Sequence, residues 1–154
     1  MDFDGPSPDA RIRTLISSDR DRLIDIDAAH TGRRRQEYFK GRLNRALAGS
    51  DVQVSPGAEL DGRLIGAVLA QVQYGEYGMA EPVAVLDTIL VDRAFAGKGV
   101  AAALLSHMVR NLRALGVERI RTEVAWDQQA LLTFLAHSGF TPAPRFVLER
   151  SLRD

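Results

Sequence analysis

From Arg11 to Ile16 charged and apolar residues alternate, the period of a half-buried strand, and Ser17-Ser18-Asp19 follows as a helix-capping signal. Leu23, Ile24, Ile26 and Ala28 mark one helix over Asp19 to Ala29. Thr31-Gly32 breaks it before a second run from Arg33 to Ala48, which Gly49-Ser50 ends. Val52 to Val54, Ala58 to Leu60 and Leu64 to Val72 read as strands, with Asp61-Gly62 a preferred hairpin turn between the last two. Tyr74 to Pro82 is a loop. Val83 to Val91 is a near-continuous apolar strand interrupted by Asp87 and Thr88.

The clearest helix follows Asp92 to Gly97, because Ala101, Leu104, Leu105, Met108, Leu112 and Leu115 recur at three- and four-residue intervals before Gly116. Val117 to Ala125 reads as a strand. Asp127 opens a helix with Leu131, Leu132, Phe134 and Leu135 on its apolar face, closed by Ser138-Gly139. A final pair of strands is expected around Phe140-Thr141 and Phe146 to Leu152. The order β-α-α-β-β-β-α-β-α-β-β describes an α/β fold, a mixed sheet of six to seven strands flanked by about four helices.

The 154 residues suit one domain, expected over 11–154 behind a flexible tail, 1–10. That tail has no cationic start or apolar stretch, so neither a signal peptide nor a membrane anchor is read there, and the expected location is cytoplasmic. Twenty basic and twenty acidic side chains balance, which removes the overall field that would draw nucleic acid or an anionic membrane. With no cysteine and three scattered histidines, no thiolate chemistry and no metal site are expected.

Chemistry is concentrated in Ile89-Leu90-Val91-Asp92-Arg93-Ala94-Phe95-Ala96-Gly97-Lys98-Gly99-Val100-Ala101-Ala102, where a strand turns through glycines into a helix. Small residues let a ligand approach the backbone, and the unpaired amides and dipole of a helix start favour an anion such as a phosphate. A plain structural turn is the alternative. A nucleotide P-loop is excluded: with Lys98 as its lysine it would need glycine at Asp92 and Ser or Thr at Gly99. A dinucleotide fingerprint fails as well, since Ala102 stands where its third glycine belongs.

Ile89 to Asp92 followed by Ala96-Gly97-Lys98-Gly99-Val100-Ala101 resembles the acetyl-CoA signature of the GNAT N-acetyltransferase superfamily, whose core is Q/R-x-x-G-x-G/A. Asp127, Gln128 and Ser138-Gly139-Phe140 resemble its second signature, N-x-x-A-x-x-x-Y-x-x-x-G-F. The resemblance implies acetyl-CoA as co-substrate. Ile89, Leu90 and Val91 would pair with pantetheine, Gly97, Lys98, Gly99, Val100, Ala101 and Ala102 would hold the pyrophosphate, and Gln128 would stand for the signature asparagine. Ala96 replaces the usual Gln or Arg, and Leu135 the tyrosine that protonates the departing thiolate. Solvent, Tyr38, Tyr74, Tyr77 or His137 are then the remaining proton sources.

The implied activity is transfer of an acetyl group to a primary amine, of a small molecule or a peptide, by direct attack in a ternary complex. Attack needs a neutral amine and hence a base. The resemblance points to Glu123 first and Asp87 second, Asp87 sharing a face with Val85 and Ile89. A carboxylate paired with an arginine such as Arg119 or Arg121 is the other reading of each. The basic run Arg33, Arg34, Arg35, Lys40, Arg42 and Arg45 reads as a solvated face or a contact for an acidic group. Tyr38, Phe39, Tyr74, Tyr77 and Trp126 read as packing or as the lining of an acceptor pocket, and His30 and His107 as ordinary helix residues. A homodimer is the expected assembly. A non-catalytic acyl-CoA-binding module and a scaffold that binds no CoA remain as alternatives.

Overall fold

Strand-forming alternation produces β1 (Arg11–Thr14), β2 (Pro56–Leu60), β3 (Arg63–Gln73), β4 (Val83–Val91) and β5 (Ile120–Thr122). They form a mixed sheet in that spatial order, antiparallel from β1 to β4 and parallel between β4 and β5. The structure, a computed structural model, describes residues 9–154 apart from the side chains of Ser50 and Val52. Most of the tail expected at 1–10 therefore lies outside the described residues. The chain divides into two compact units, Met1–Glu123 and Val124–Asp154, and the first contains all five strands.

In the first unit, α1 (Arg20–Thr31) and α2 (Gln36–Ala46) supply Leu23, Ile24, Ile26, Phe39, Leu43 and Ala46 to one buried cluster with Leu64, Ala67 and Leu69 of β3 and Leu90 of β4. The longest helix, α3 (Val100–Ala114), packs against β2, β3 and β4 through Val100, Leu104, Leu105, Met108 and Leu112. Its approach depends on Gly66 of β3. A Cβ there would stand 3.0 Å from both the Leu90 carbonyl and Val100 Cγ1 and 3.3 Å from Leu104 Cδ1. Glycine at this point lets the first turns of α3 lie close behind β3 and β4.

The second unit holds α4 (Gln129–His137), with Phe134 and Leu135 buried. It contains no strand. The strands expected around Phe140-Thr141 and Phe146 to Leu152 are not formed, so among the described residues the sheet has five strands rather than six to seven. The sequence pattern is present there, but a strand needs a neighbour to share its ladder.

Val52 to Val54, also expected as a strand, lies in a 3₁₀ segment, Gly49–Val54. Side chains from this segment and its neighbour replace a strand ladder along β3: the Ser55 hydroxyl lies 3.2 Å from both the N–H and the carbonyl of Ala70, and Asp51 accepts from the Val72 N–H at 3.1 Å. Among the described residues no helix is long and apolar enough to cross a membrane.

Gly66→Ala is expected to destabilise the protein by about 1–3 kcal/mol, because two of the three atoms facing the new methyl belong to packed side chains and the third is backbone. Urea denaturation of the variant checks this.

Candidate functional site

The parallel pairing of β5 with β4 runs through Ala84↔Ile120, Val85↔Arg121 and Leu86↔Thr122 and stops there. The Thr122 hydroxyl donates to the Leu86 carbonyl at 2.7 Å and marks the last point of contact between the strands. Beyond it β4 continues to Val91 paired, among the described residues, with β3 alone. Because the Asp92 N–H is directed to Ile65 of β3 at 2.8 Å, alternation turns the N–H groups of Ile89 and Val91 toward the open side. His30 Nε2 lies 2.7 Å from the Val91 carbonyl and closes the far end of this edge. Nothing in the sequence singled out His30 for that position.

The open edge leads into a glycine-bounded cradle at the start of α3. Asp92 caps a 3₁₀ turn, Arg93–Phe95, by accepting from the Ala94 N–H at 2.9 Å. That backbone bond outweighs burial and, helped by Arg22, holds the Asp92 carboxyl below the usual carboxylate range. The carboxylate is also ion-paired with Arg22, whose Nε donates to the Leu64 carbonyl at 2.8 Å. Gly97 and Gly99 then take left-handed φ angles of 72° and 81°, which side chains rarely tolerate. Gly99 is the N-cap of α3 and uses no side chain to cap it, so the amides of the first helical turn have no side-chain acceptor there. Val100 and Ala101 pack inward, while Ala96 and Lys98 are exposed. Lys98 Nζ lies 5.6 Å above the Phe95 ring. The expected strand residues Ile89, Leu90 and Val91 and the expected loop residues Gly97 to Ala102 thus stand end to end, although the Leu90 side chain is turned into the core.

Both candidate carboxylates sit at the parting of the strands, Asp87 immediately after Leu86 and Glu123 immediately after Thr122. Their surroundings differ. The register pairs Ala70 with Leu86 and Leu69 with Thr88, so Asp87 is the extra residue of a β-bulge. The Thr88 hydroxyl donates to Asp87 Oδ1 at 2.8 Å, a contact between adjacent side chains that regular pleating forbids. With alternation resumed from Thr88, Ile89 points to the face opposite Asp87, and the face expected to hold both does not.

Asp87 is held by an arginine, but not Arg119 or Arg121. Arg42 of α2, 1% exposed, donates from Nε and Nη2 to both oxygens at 3.1–3.2 Å, and Gln71 Nε2 adds a bond at 3.1 Å. Arg42 therefore does not belong to a solvated basic face. Its Nη1 is buried with no partner among the described residues. Arg34 and Arg35 of the same run are paired with Asp25 and Asp27. Glu123, in contrast, is exposed and has no ion pair among the described residues.

The remaining expected residues fall elsewhere. Phe39 is core packing, whereas Tyr38, Tyr74, Tyr77 and Trp126 are exposed. In the second unit, Gln128 caps α4 without a side-chain bond, and His137 Nδ1 lies 2.8 Å from the Thr133 carbonyl. Leu135, standing where a proton donor was sought, is 3% exposed and serves packing. A separate cavity of about 610 Å³ is lined by Arg11, Arg13, Arg22 and Arg63 with Asp19 and Glu59. Its inner charges are internally satisfied, since Arg13 bonds both Asp19 and Glu59.

The sequence model of the Acetyltransferase (GNAT) family matches residues 20–140. No curated protein matches the chain. Among solved structures, an aminoglycoside N-acetyltransferase in complex with CoA superposes with a TM-score of 0.75 at 18% identity, over 94% of this chain and 95% of that one. Glucosamine-6-phosphate N-acetyltransferase from Arabidopsis thaliana gives 0.71 at 16% identity, over 94% and 99%. A transcriptional regulator from Bacillus halodurans C-125 gives 0.75 at 14% identity, over 93% and 99%. At these identities the likeness is one of fold.

Arg42→Met is expected to cost on the order of 2–4 kcal/mol in urea denaturation, because it leaves the Asp87 charge without its buried partner, and Arg42→Met/Asp87→Leu should recover part of that loss. Asp92 gives a pH dependence of known sign. Its folded pKa is depressed, so its stabilisation is complete above pH about 4 and is lost as pH falls through the lower folded value. The stability advantage of the native chain over Asp92→Asn, read by thermal melts, should therefore shrink below pH about 4.

Proposed function

Since the chain belongs to the GNAT acetyltransferase family, whose model spans residues 20–140, we propose that it is an N-acetyltransferase that moves an acetyl group from acetyl-CoA to a primary amine. One observation carries this reading: a length of β4 that pairs with β3 on one side, and with no strand on the other among the described residues, runs directly into the glycine-bounded start of α3. The two elements fit the two chemical parts of a CoA thioester. A strand edge offers hydrogen bonds to the amides of a pantetheine arm, and a helix start offers unpaired N–H groups to a pyrophosphate. In this reading Ile89, Leu90 and Val91 hold the arm, through backbone rather than side chains, and Gly97, Lys98, Gly99, Val100, Ala101 and Ala102 hold the phosphates. Gln128 is retained as a further cofactor contact on the signature alone.

Acetyl-CoA supplies the activated acyl group. Glu123 is the base that takes a proton from the incoming ammonium, because its carboxylate, without an ion pair among the described residues, is exposed at the parting of the strands. Asp87 is the second carboxylate. With its oxygens bonded by Arg42, Gln71 and Thr88, it is better suited to hold a fixed negative charge beside the ammonium than to accept its proton. A free amide of the Ile89–Val91 edge faces the carbonyl oxygen as charge develops on it. The chain has no cysteine to carry an acyl group, which favours direct transfer. Protonation of the leaving thiolate falls to solvent, Tyr38, Tyr74, Tyr77 or His137. The acceptor is a small-molecule or peptide amine, and the enzyme acts in the cytoplasm.

The burial of Leu135 favours a second reading, an acyl-CoA-binding module without turnover. Calorimetric titration with acetyl-CoA, followed by a thiol-release assay over a panel of amines, separates the two. Micromolar binding is expected, and it should be abolished in Ala102→Asp, whose carboxylate repels a pyrophosphate while an acid in the first turn of a helix leaves folding intact. Glu123→Gln should keep that binding and lower kcat by about 10²–10⁴-fold. Binding without thiol release on any amine would favour the second reading, and no binding would remove both.

A further inference from the structure

The acyl-transfer reading makes no use of the arginine-lined cavity. It lies within the first unit, where β1, the 3₁₀ turn Ser17–Asp19, the start of α1 and the β2–β3 hairpin contribute its wall of about 610 Å³. Four guanidinium groups, of Arg11, Arg13, Arg22 and Arg63, face two carboxylates, of Asp19 and Glu59. One arginine takes up both acids. Asp19 accepts from Arg13 Nη1 at 2.8 Å, from Arg13 Nη2 at 2.9 Å and from the Ile16 N–H at 2.8 Å, and Glu59 accepts from Arg13 Nε.

The donors that remain belong to the other three arginines. Arg63 is exposed and has no hydrogen bond or ion pair among the described residues. Arg11 has 74% of its side chain exposed and one loose contact, 3.9 Å from Glu59. Arg22 is 17% exposed; its Nε donates to the Leu64 carbonyl at 2.8 Å and its Nη2 to Asp92, which is outside the cavity lining. Its Nη1 has no acceptor among the described residues. In a chain with no net charge, this wall therefore holds two more cations than anions, four against two.

We propose that this cavity is a second ligand site, for a small phosphate monoester held by Arg11, Arg22 and Arg63, and that its occupation weakens acyl-CoA binding at the start of α3. A phosphate dianion matches the excess of two charges, and guanidinium forks pair with its oxygens two at a time. The volume lies in the range of about 300–1,000 Å³ that small-ligand sites occupy, enough for an organic group beside the phosphate. Ile16, 52% exposed, offers that group an apolar wall.

The coupling runs through Arg22. Its partner Asp92 caps the turn Arg93–Phe95 that leads into Gly97 and Gly99. Behind the Ala94 bond and Arg22, the field of Arg63 also reaches Asp92. An anion in the cavity draws on both arginines and leaves the Asp92 charge less compensated beside the cradle, which disfavours a second anion there. Linkage makes the effect reciprocal. The coupling rests on the acyl-CoA reading, whereas the phosphate site does not.

Calorimetric titration of the Ala102→Asp chain with inorganic phosphate, at constant ionic strength, isolates the cavity, because that substitution closes the cradle to anions. One phosphate per chain is expected. Arg11→Ser/Arg63→Ser, at exposed side chains, should keep the helix and strand content by circular dichroism and weaken phosphate binding at least about tenfold. In the native chain, saturating phosphate should raise the Kd for acetyl-CoA about fivefold, and Arg11→Ser/Arg63→Ser should remove that effect. Absence of phosphate binding, binding indifferent to the double substitution, or antagonism that persists in it, as direct competition at the cradle would, overturns the proposal. Phosphate binding in a chain that takes up no acetyl-CoA would uphold the site and overturn the acyl-CoA reading together with the coupling.

Discussion

Two parallel strands share a ladder only while their backbones stay side by side, and in this protein β4 and β5 do so for three residue pairs. From Asp87 onward the N–H and carbonyl groups on one side of β4 need another partner, and a buried or half-buried backbone group left unpaired is costly. Three features of the molecule follow from this break. The Thr122 hydroxyl donates to the Leu86 carbonyl at the point of parting, His30 reaches the Val91 carbonyl at the far end, and the groups between them face the open side of the sheet. The bulge at Asp87 fixes where the ladder ends, and Arg42, reaching across from α2, fixes the bulge.

The cradle at the start of α3 obeys the same economy of side chains. Glycine at 97 and 99 permits the left-handed turns, alanine at 101 and 102 keeps the first helical turn low, and Gly66 beneath lets that turn lie close to the sheet. The Asp92 carboxylate is committed to the Ala94 amide and to Arg22, so in the proposed function an anion entering the cradle would meet amides and the helix dipole with that charge already compensated. The chain is neutral overall, so the proposed affinity for a pyrophosphate rests on this local arrangement.

Local signals in the sequence were strong where local chemistry decides structure. β4 was legible to the residue because it is a near-continuous apolar run, and the body of α3 because its apolar period is long and glycines stand at both ends. Long-range partners were not legible. No pattern announces that an arginine at 42 will cross the fold to an aspartate at 87, so a basic run read as a solvated face contains the largest fully buried side chain among the described residues. Register slips were equally hidden: strict alternation placed Asp87 and Ile89 on one face, and a single extra residue separated them. The segment before β2 failed as a strand because Ser55 and Asp51 side chains do a ladder's work there. The C-terminal strands failed because alternation reports which face a residue prefers, never whether a neighbour is at hand.

In the proposed function the open edge of β4 and the start of α3 form one continuous backbone site for an acyl-CoA. Amide hydrogen exchange with and without acetyl-CoA tests this directly, residue by residue. Slowed exchange is expected at Ile89, at Val91 and through Gly97 to Ala102, with little change along β1 and β2. Protection confined to the arginine-lined cavity around Arg13, or none at the β4 edge under conditions where acetyl-CoA is bound, would contradict it.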